Sequence, residues 1–301
     1  MPIDGLLVAT RFGLYADLAT LAGLPLFWWS MRKGTGAGAR GILAVLALGG
    51  IAFSALWLLA SAAAMAGTSL FAPDWSVVDI LLRETMIGPL LGVRAVALLL
   101  ILALLLVSRR ADGPPVTIAL LATVAAATLA WSGHAGATEG AAGTVHRAAD
   151  VFHILAASAW VGALLALLAR VFCSALDVRE TEQTAHMLHR FSLFGTLFVI
   201  TLIVSGAINS VMIVGFANLP LLLQSLYGWL LLAKIALFGG MLILAAANRW
   251  RLTPALTRAA SAGDMASARA RLRMSLTFET IIALAILALV AALGTLDPLG
   301  G

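Results

Sequence analysis

The chain has 301 residues, of which 62% are hydrophobic and 11% charged, with a formal net charge of +5. A soluble domain carries roughly 25% charge, so there is too little polar side chain here to coat a water-facing surface. A soluble enzyme and a disordered chain are both excluded. The cations stand between apolar runs, which marks them as membrane topology signals and not as a nucleic-acid footprint.

Apolar runs of about 18 residues are candidates for membrane-spanning helices. Eight are predicted, at 6–30, 41–66, 86–107, 116–131, 147–169, 191–216, 227–247 and 275–296. The expected fold is all-α, a polytopic membrane helix bundle forming a single integral membrane domain over 1–301. Arg32, Lys33 and Arg40 follow the first run, Arg109 and Arg110 the third, and Arg170, Arg179 and Arg190 the fifth. Arg249, Arg251, Arg258, Arg269, Arg271 and Arg273 follow the seventh, in the longest loop, 248–274. The other side carries Asp4, Asp74, Asp79, Glu139 and Asp297. The positive-inside bias therefore puts the basic loops in the cytoplasm and both termini in the periplasm. Met1-Pro2-Ile3-Asp4 lacks the positive n-region of a signal peptide, so the first run is expected to be retained.

Two absences narrow the chemistry. No Gly-x-x-x-x-Gly-Lys-Ser/Thr motif occurs, which argues against an ATP-driven pump. Cys173 is the only cysteine, so an internal disulfide and a Cys-x-x-Cys site are excluded; it is expected to be a buried small apolar residue.

The third and seventh runs share a pattern. Thr85 and Ser225 are each followed by a glycine three residues on (Gly88, Gly228), a cation six further (Arg94, Lys234) and another cation at the far end (Arg109, Arg249). Runs four apart cross in the same direction, so two parallel four-helix halves, 1–140 and 141–301, are expected. The other runs align only through small residues such as Gly23 and Gly162.

An ionisable group inside a span is costly and is a functional-site candidate by default. The set is Arg11, Asp17, Arg94, Asp150, His153, Lys234 and Glu279, with Asn209 polar but uncharged. Arg94, Lys234 and His153 lie roughly 10 Å below the outer face, counting about 1.5 Å per residue. Asp17 is deeper, and Glu279 lies near the cytoplasmic end. The bland alternative is snorkelling and interhelical pairing, for instance Arg11 with Asp17.

Three of the five histidines fall in one stretch. His146, Asp150 and His153 share one helix face, Trp160 continues the stripe, and His134 lies just outside the preceding run. Imidazoles with a carboxylate suit Cu(II) or another borderline divalent metal, and Asp150 is placed to orient an imidazole from behind. Met65, Met86 and Met212 lie near outer ends, where thioethers suit Cu(I) and where core filling is the bland reading. His186 and His189 are read as a solvated face of a cytoplasmic loop.

At these residues the sequence resembles the CopD family of bacterial copper-resistance membrane proteins. The matching stretches are Glu84-Thr85-Met86-Ile87-Gly88 through Arg94, Trp131-Ser132-Gly133-His134-Ala135, Asp150-Val151-Phe152-His153 through Trp160-Val161-Gly162, Arg190-Phe191-Ser192, Tyr227-Gly228 through Lys234, and Asn248-Arg249. The resemblance covers nearly the whole chain. It implies an inner-membrane protein that handles copper, often alongside a small periplasmic carrier of the CopC type, and it points to His134, Asp150 and His153, with Arg94 and Lys234 as partners. Periplasmic Met-rich motifs are absent.

The expected function is copper transport or homeostasis, with import from the periplasm through a site at His134, His146, Asp150 and His153, supported by Arg94, Lys234, Asn209 and Asp17. Partners are the copper ion, a CopC-type carrier and the bilayer; nucleic acid is not among them. The expectation is a non-enzyme. Two cations beside a cation path resist that reading. They keep open a haem- or quinone-linked redox protein in which Arg94 and Lys234 hold propionates and histidine ligates iron. Hydrolysis by Ser132 or Ser205 would need a contact with a histidine, which neither depth nor spacing supports.

Overall fold

A computed structural model of the chain describes residues 4–31, 37–107, 115–262 and 264–298. Helix α1 (Gly5–Ser30) starts at Asp4, whose carboxylate accepts the Leu6 and Leu7 amides at 2.9 and 3.2 Å. It is followed by α2 (Ala37–Ala66), the short α3 (Trp75–Arg83) and α4 (Ile87–Val107). Then come α5 (Pro115–Ala127), a 3-10 turn (Thr128–Trp131) and the single turn α6 (His134–Ala137). The second part holds α7 (Gly140–Cys173), α8 (Val178–Val214), the single turn α9 (Leu219–Leu222) and α10 (Leu226–Ala247). A π-helical turn (Asn248–Leu252), α11 (Thr253–Ala262) and α12 (Met265–Leu293) complete it.

Among the described residues seven helices are long and apolar enough to cross a membrane. The eighth expected run, Val116–Trp131, is shorter. Its last turn tightens to 3-10, so at rises of ~1.5 and ~2.0 Å it reaches about 27 Å, close to the ~30 Å hydrocarbon thickness.

The centre of the bundle is the α1–α7 crossing. A Cβ on Gly23 would overlap the Ser158 carbonyl oxygen, and one on Gly162 would overlap the Gly23 backbone. Only paired glycines let the two backbones approach this closely, the usual route to tight helix association in lipid. Around that crossing α2 and α5 pack on α1, and α8 and α12 pack on α7. The outer pairs differ. Helix α2 packs on α4, but α8 makes no comparable packing with α10, which leans on α12. A cleft is left between α8 and α10.

The junctions that lead into α4 and α10 are built alike. Thr85 Oγ1 accepts the Ile87 amide and Ser225 Oγ accepts the Gly228 amide, each at 3.1 Å. Gly88 sits against the Leu82 carbonyl as Gly228 sits against that of Leu222, so neither position has room for a side chain.

The arginines of 170–190 and 249–273 gather at one end, where some also cap helices. Arg269 donates to the carbonyls of Val171, Ser174 and Ala175 at 2.8, 2.5 and 2.9 Å, closing the C-terminus of α7 where cations are favoured. Arg170 pairs with Glu180 at 2.6 Å. Arg32, Lys33, Arg109 and Arg110 lie outside the described residues.

Three expectations are corrected. The segment 248–274, expected as a loop, is largely helical, because its Ala, Leu and Arg are strong helix formers and Leu256 and Leu272 are buried. His186 and His189 lie on α8, not in a loop, though both are exposed. Cys173 is exposed: it ends α7 two positions past buried Val171, off the packed face.

Candidate functional site

At the end of the bundle opposite Arg170, Arg249 and Arg269, a cavity of about 190 Å³ opens between α1, α6, α7, α8, α10 and α12. His134, His146, Asp150 and His153 all line it, together with Asn209 and Lys234. Six of the eight predicted site residues thus meet in one space. The other two do not. Arg94 is 1% exposed and faces the first half, where Nε donates to Thr128 Oγ1 at 2.8 Å and a terminal nitrogen to Ser54 Oγ at 3.2 Å. Asp17 is buried against Gly49 and Gly50 of α2, with one carboxylate oxygen unpartnered. Nor does Arg11 pair with Asp17: it donates to Tyr15 Oη at 2.8 Å and to the Ser132 carbonyl at 3.2 Å, over Gly294. Arg94 and Lys234 hold equivalent positions after equivalent junctions, yet only Lys234 reaches the cavity. The α8–α10 cleft exists in the second half alone.

The hydrogen bonds select a tautomer for His153 and for His134. The Ser205 hydroxyl donates to the Thr201 carbonyl at 2.5 Å, so at 3.0 Å from His153 Nδ1 it can only accept. His153 therefore carries its proton on Nδ1, and Nε2 is the nitrogen with the lone pair. Gly206 makes room for this ring, since a Cβ there would stand 3.4 Å from Cε1. Thr138 holds the second imidazole: its hydroxyl lies 2.9 Å from His146 Nδ1 and 3.2 Å from the His134 carbonyl. His134 is reversed: Nε2 donates to the Leu293 carbonyl at 3.2 Å, and the ring stands edge-on to Tyr227 at 5.9 Å. Each imidazole thus has one ring nitrogen held to an oxygen, the arrangement that orients metal-ligating histidines.

Asp150 does not take the orienting role expected of it. Asn209 Nδ2 donates to its carboxylate at 2.9 Å, while hydroxyls hold the imidazoles. One helical turn along the same face separates Asp150 from either histidine, and the hydroxyls come from other elements. The Ser205–His153 contact does exist, but that hydroxyl is committed to Thr201 and buried, which leaves no exposed nucleophile. Met65 and Met86 are exposed on the outside, and Met212 does not line the cavity. Among the described residues no three His, Cys, Asp or Glu side chains are placed to hold a metal ion.

The cavity continues inward. A second one of about 300 Å³ shares His153 and Lys234 with the first and is otherwise mostly apolar, with Trp160 and Met241 in its wall. A third, about 280 Å³, shares Trp160 with the second and ends at Asn248, Arg249 and Glu279 near the basic face. Asn248 donates to Glu279 there. Sequence reasoning missed Thr138, Tyr227 and Asn248 as parts of this system. Tyr227 and Asn248 stand in the stretches that carry the CopD resemblance, and Thr138 left no signal.

The description "Copper resistance protein D-like, N-terminal domain" matches residues 2–144, and "Copper resistance protein D" matches 185–293. Copper resistance protein D of Pseudomonas syringae pv. tomato is 34% identical over 98% of this chain and 97% of its own length. The chain belongs to the copper resistance protein D family. A second relative in this group, inner membrane protein YebZ of Escherichia coli K12, is 31% identical over 81% of the chain and 83% of its own length. No solved structure matches the chain. The copper resistance protein D resemblance read from scattered stretches therefore holds across both halves.

Proposed function

We propose that this protein carries copper across the bacterial inner membrane, taking it up at the histidine cavity and passing it through the second half of the bundle to the basic end. The observation that carries this reading is the meeting of His134, His146, Asp150 and His153 in one cavity. With the basic end in the cytoplasm, the cavity faces the periplasm, where a CopC-type carrier would deliver copper. The bundle then has eight spans, with α5 and its 3-10 turn as the fourth. Its two four-helix halves are related by an axis through the Gly23–Gly162 crossing. Past His153, the apolar middle cavity with Met241 and Trp160 suits Cu(I) better than Cu(II), since softer donors favour the reduced ion. Asp17 and Arg94 stand off this path, and the protein acts without covalent chemistry on a substrate.

The haem alternative loses its main support. It asked Arg94 and Lys234 to hold two propionates together, and Arg94 is hydrogen-bonded elsewhere. The test is purification in detergent, metal analysis and a visible spectrum, followed by uptake into liposomes. Near-stoichiometric copper, no Soret band and copper movement are expected; a stoichiometric Soret band or absence of copper would overturn the reading.

Lys234 supplies a signed prediction. A positive charge lining a cation site weakens binding, by ~1–2 kcal/mol with an effective dielectric near 20. Lys234→Met is expected to tighten copper binding about tenfold. For an anionic ligand, the same substitution weakens binding.

A further inference from the structure

We infer a second cation site at the basic end, built by Glu279 with Asn248 and Ser275, which takes a hard monovalent cation, H⁺ or Na⁺, as the counter-movement to copper. The inference rests on the transport reading. Glu279 is 2% exposed on α12, and its one hydrogen-bond partner is the Asn248 amide. No cation pairs with it among the described residues. Arg249, the other charged group on that cavity, donates across its wall to the Ser192 carbonyl and to Thr196 Oγ1 at 2.8 Å, and not to Glu279. From α7 the cavity receives Trp160, from α8 Ser192 and Thr196, and from α11 Thr253, all uncharged. On its α1 side, α12 meets Ala16 and Thr20. A buried carboxyl group with no cation in the fold takes its counter-charge from solution.

The surrounding donors define which cation fits. Asn248 is 7% exposed with Oδ1 unpartnered, and Ser275, one turn before Glu279 on the same helix face, is 8% exposed with Oγ unpartnered. Both are neutral oxygens without a partner, one on the residue that bonds Glu279 and the other one helical turn from it. A site of oxygens with a single negative charge balances a hard monovalent cation, and it offers neither the nitrogen nor the sulfur that copper prefers. The π-helical turn at Asn248–Leu252 opens the backbone here, and the Thr253 hydroxyl satisfies the Asn248 carbonyl at 2.8 Å, freeing the side chain to turn to Glu279.

The full-chain protein is assayed in two ways. In detergent without copper, a ligand that binds the folded state raises the melting temperature. Wild type is expected to be stabilised by Na⁺ or by lowered pH, and Glu279→Gln to lose that response, with Glu279→Asp retaining part of it. In liposomes clamped at zero potential, a proton or a sodium gradient is expected to change the initial copper rate at least threefold in wild type and not in Glu279→Gln, which still binds copper at the histidine cavity. Whichever gradient acts names the cation. A Glu279→Gln protein that responds as wild type in both assays overturns the site. A melting response that Glu279→Gln loses, in a protein that moves no copper, upholds the site and removes the transport reading instead.

Discussion

Replacing His153 by alanine is expected to weaken copper binding by about a hundredfold or more in a chelator-competition titration in detergent. Loss even of the group that orients a ligand typically costs 10–100-fold, and His153 is the imidazole that lines both the first and second cavities. Ser205→Ala, which removes only the acceptor holding Nδ1, is expected to cost about tenfold. It leaves the Thr201 carbonyl to its helix. His134→Ala tests the mouth of the same cavity through the opposite ring nitrogen, because its Nε2 is spent on Leu293. Unchanged affinity in both His134→Ala and His153→Ala would remove the cavity as the copper site while leaving the fold and the family intact.

Gly162→Leu is expected to destabilise the folded bundle severely. The new side chain would have to occupy the space of the Gly23 backbone, at the crossing of the two most buried helices. Backbone cannot yield as a side-chain tip does, so α1 and α7 must separate along their length. That costs at least ~3 kcal/mol, enough to lower the melting temperature by roughly 10 °C or to abolish a monodisperse peak on size exclusion. Gly92→Ala on α4 is the matched control. Nothing lies within 4 Å of a Cβ there, and alanine favours the helix by up to ~1 kcal/mol. A Gly162→Leu protein as stable as wild type would mean that the crossing does not organise the bundle.

Hydropathy and composition were enough to establish a helical membrane protein, because burying backbone in lipid leaves a helix as the only way for a single apolar run to satisfy its amides. The spacing of His146, Asp150 and His153 likewise sufficed to put them on one face, since a local period settles that. The regular spacing from Thr85 to Arg94 and from Ser225 to Lys234 correctly marked two junctions of the same build. It could not say that the two cations would part company. Arg94 meets Ser54 and Thr128 from other helices, and Lys234 faces open space because α8 stands away from α10. Asp17 looked like a step on the path and lies beside Gly49 instead, for the same reason: which face of a uniformly apolar helix turns inward is decided by its neighbours. Gly23 and Gly162 read as two small residues in weakly aligned runs, and only the assembled bundle makes them one contact. Sequence by itself determined the class, seven apolar helices long enough to span, and most of the residues that line the cavity. Tertiary structure decided which polar groups converge and which oxygen holds each histidine, and it showed that the cavities run through one half, because those outcomes depend on packing between segments far apart in the chain.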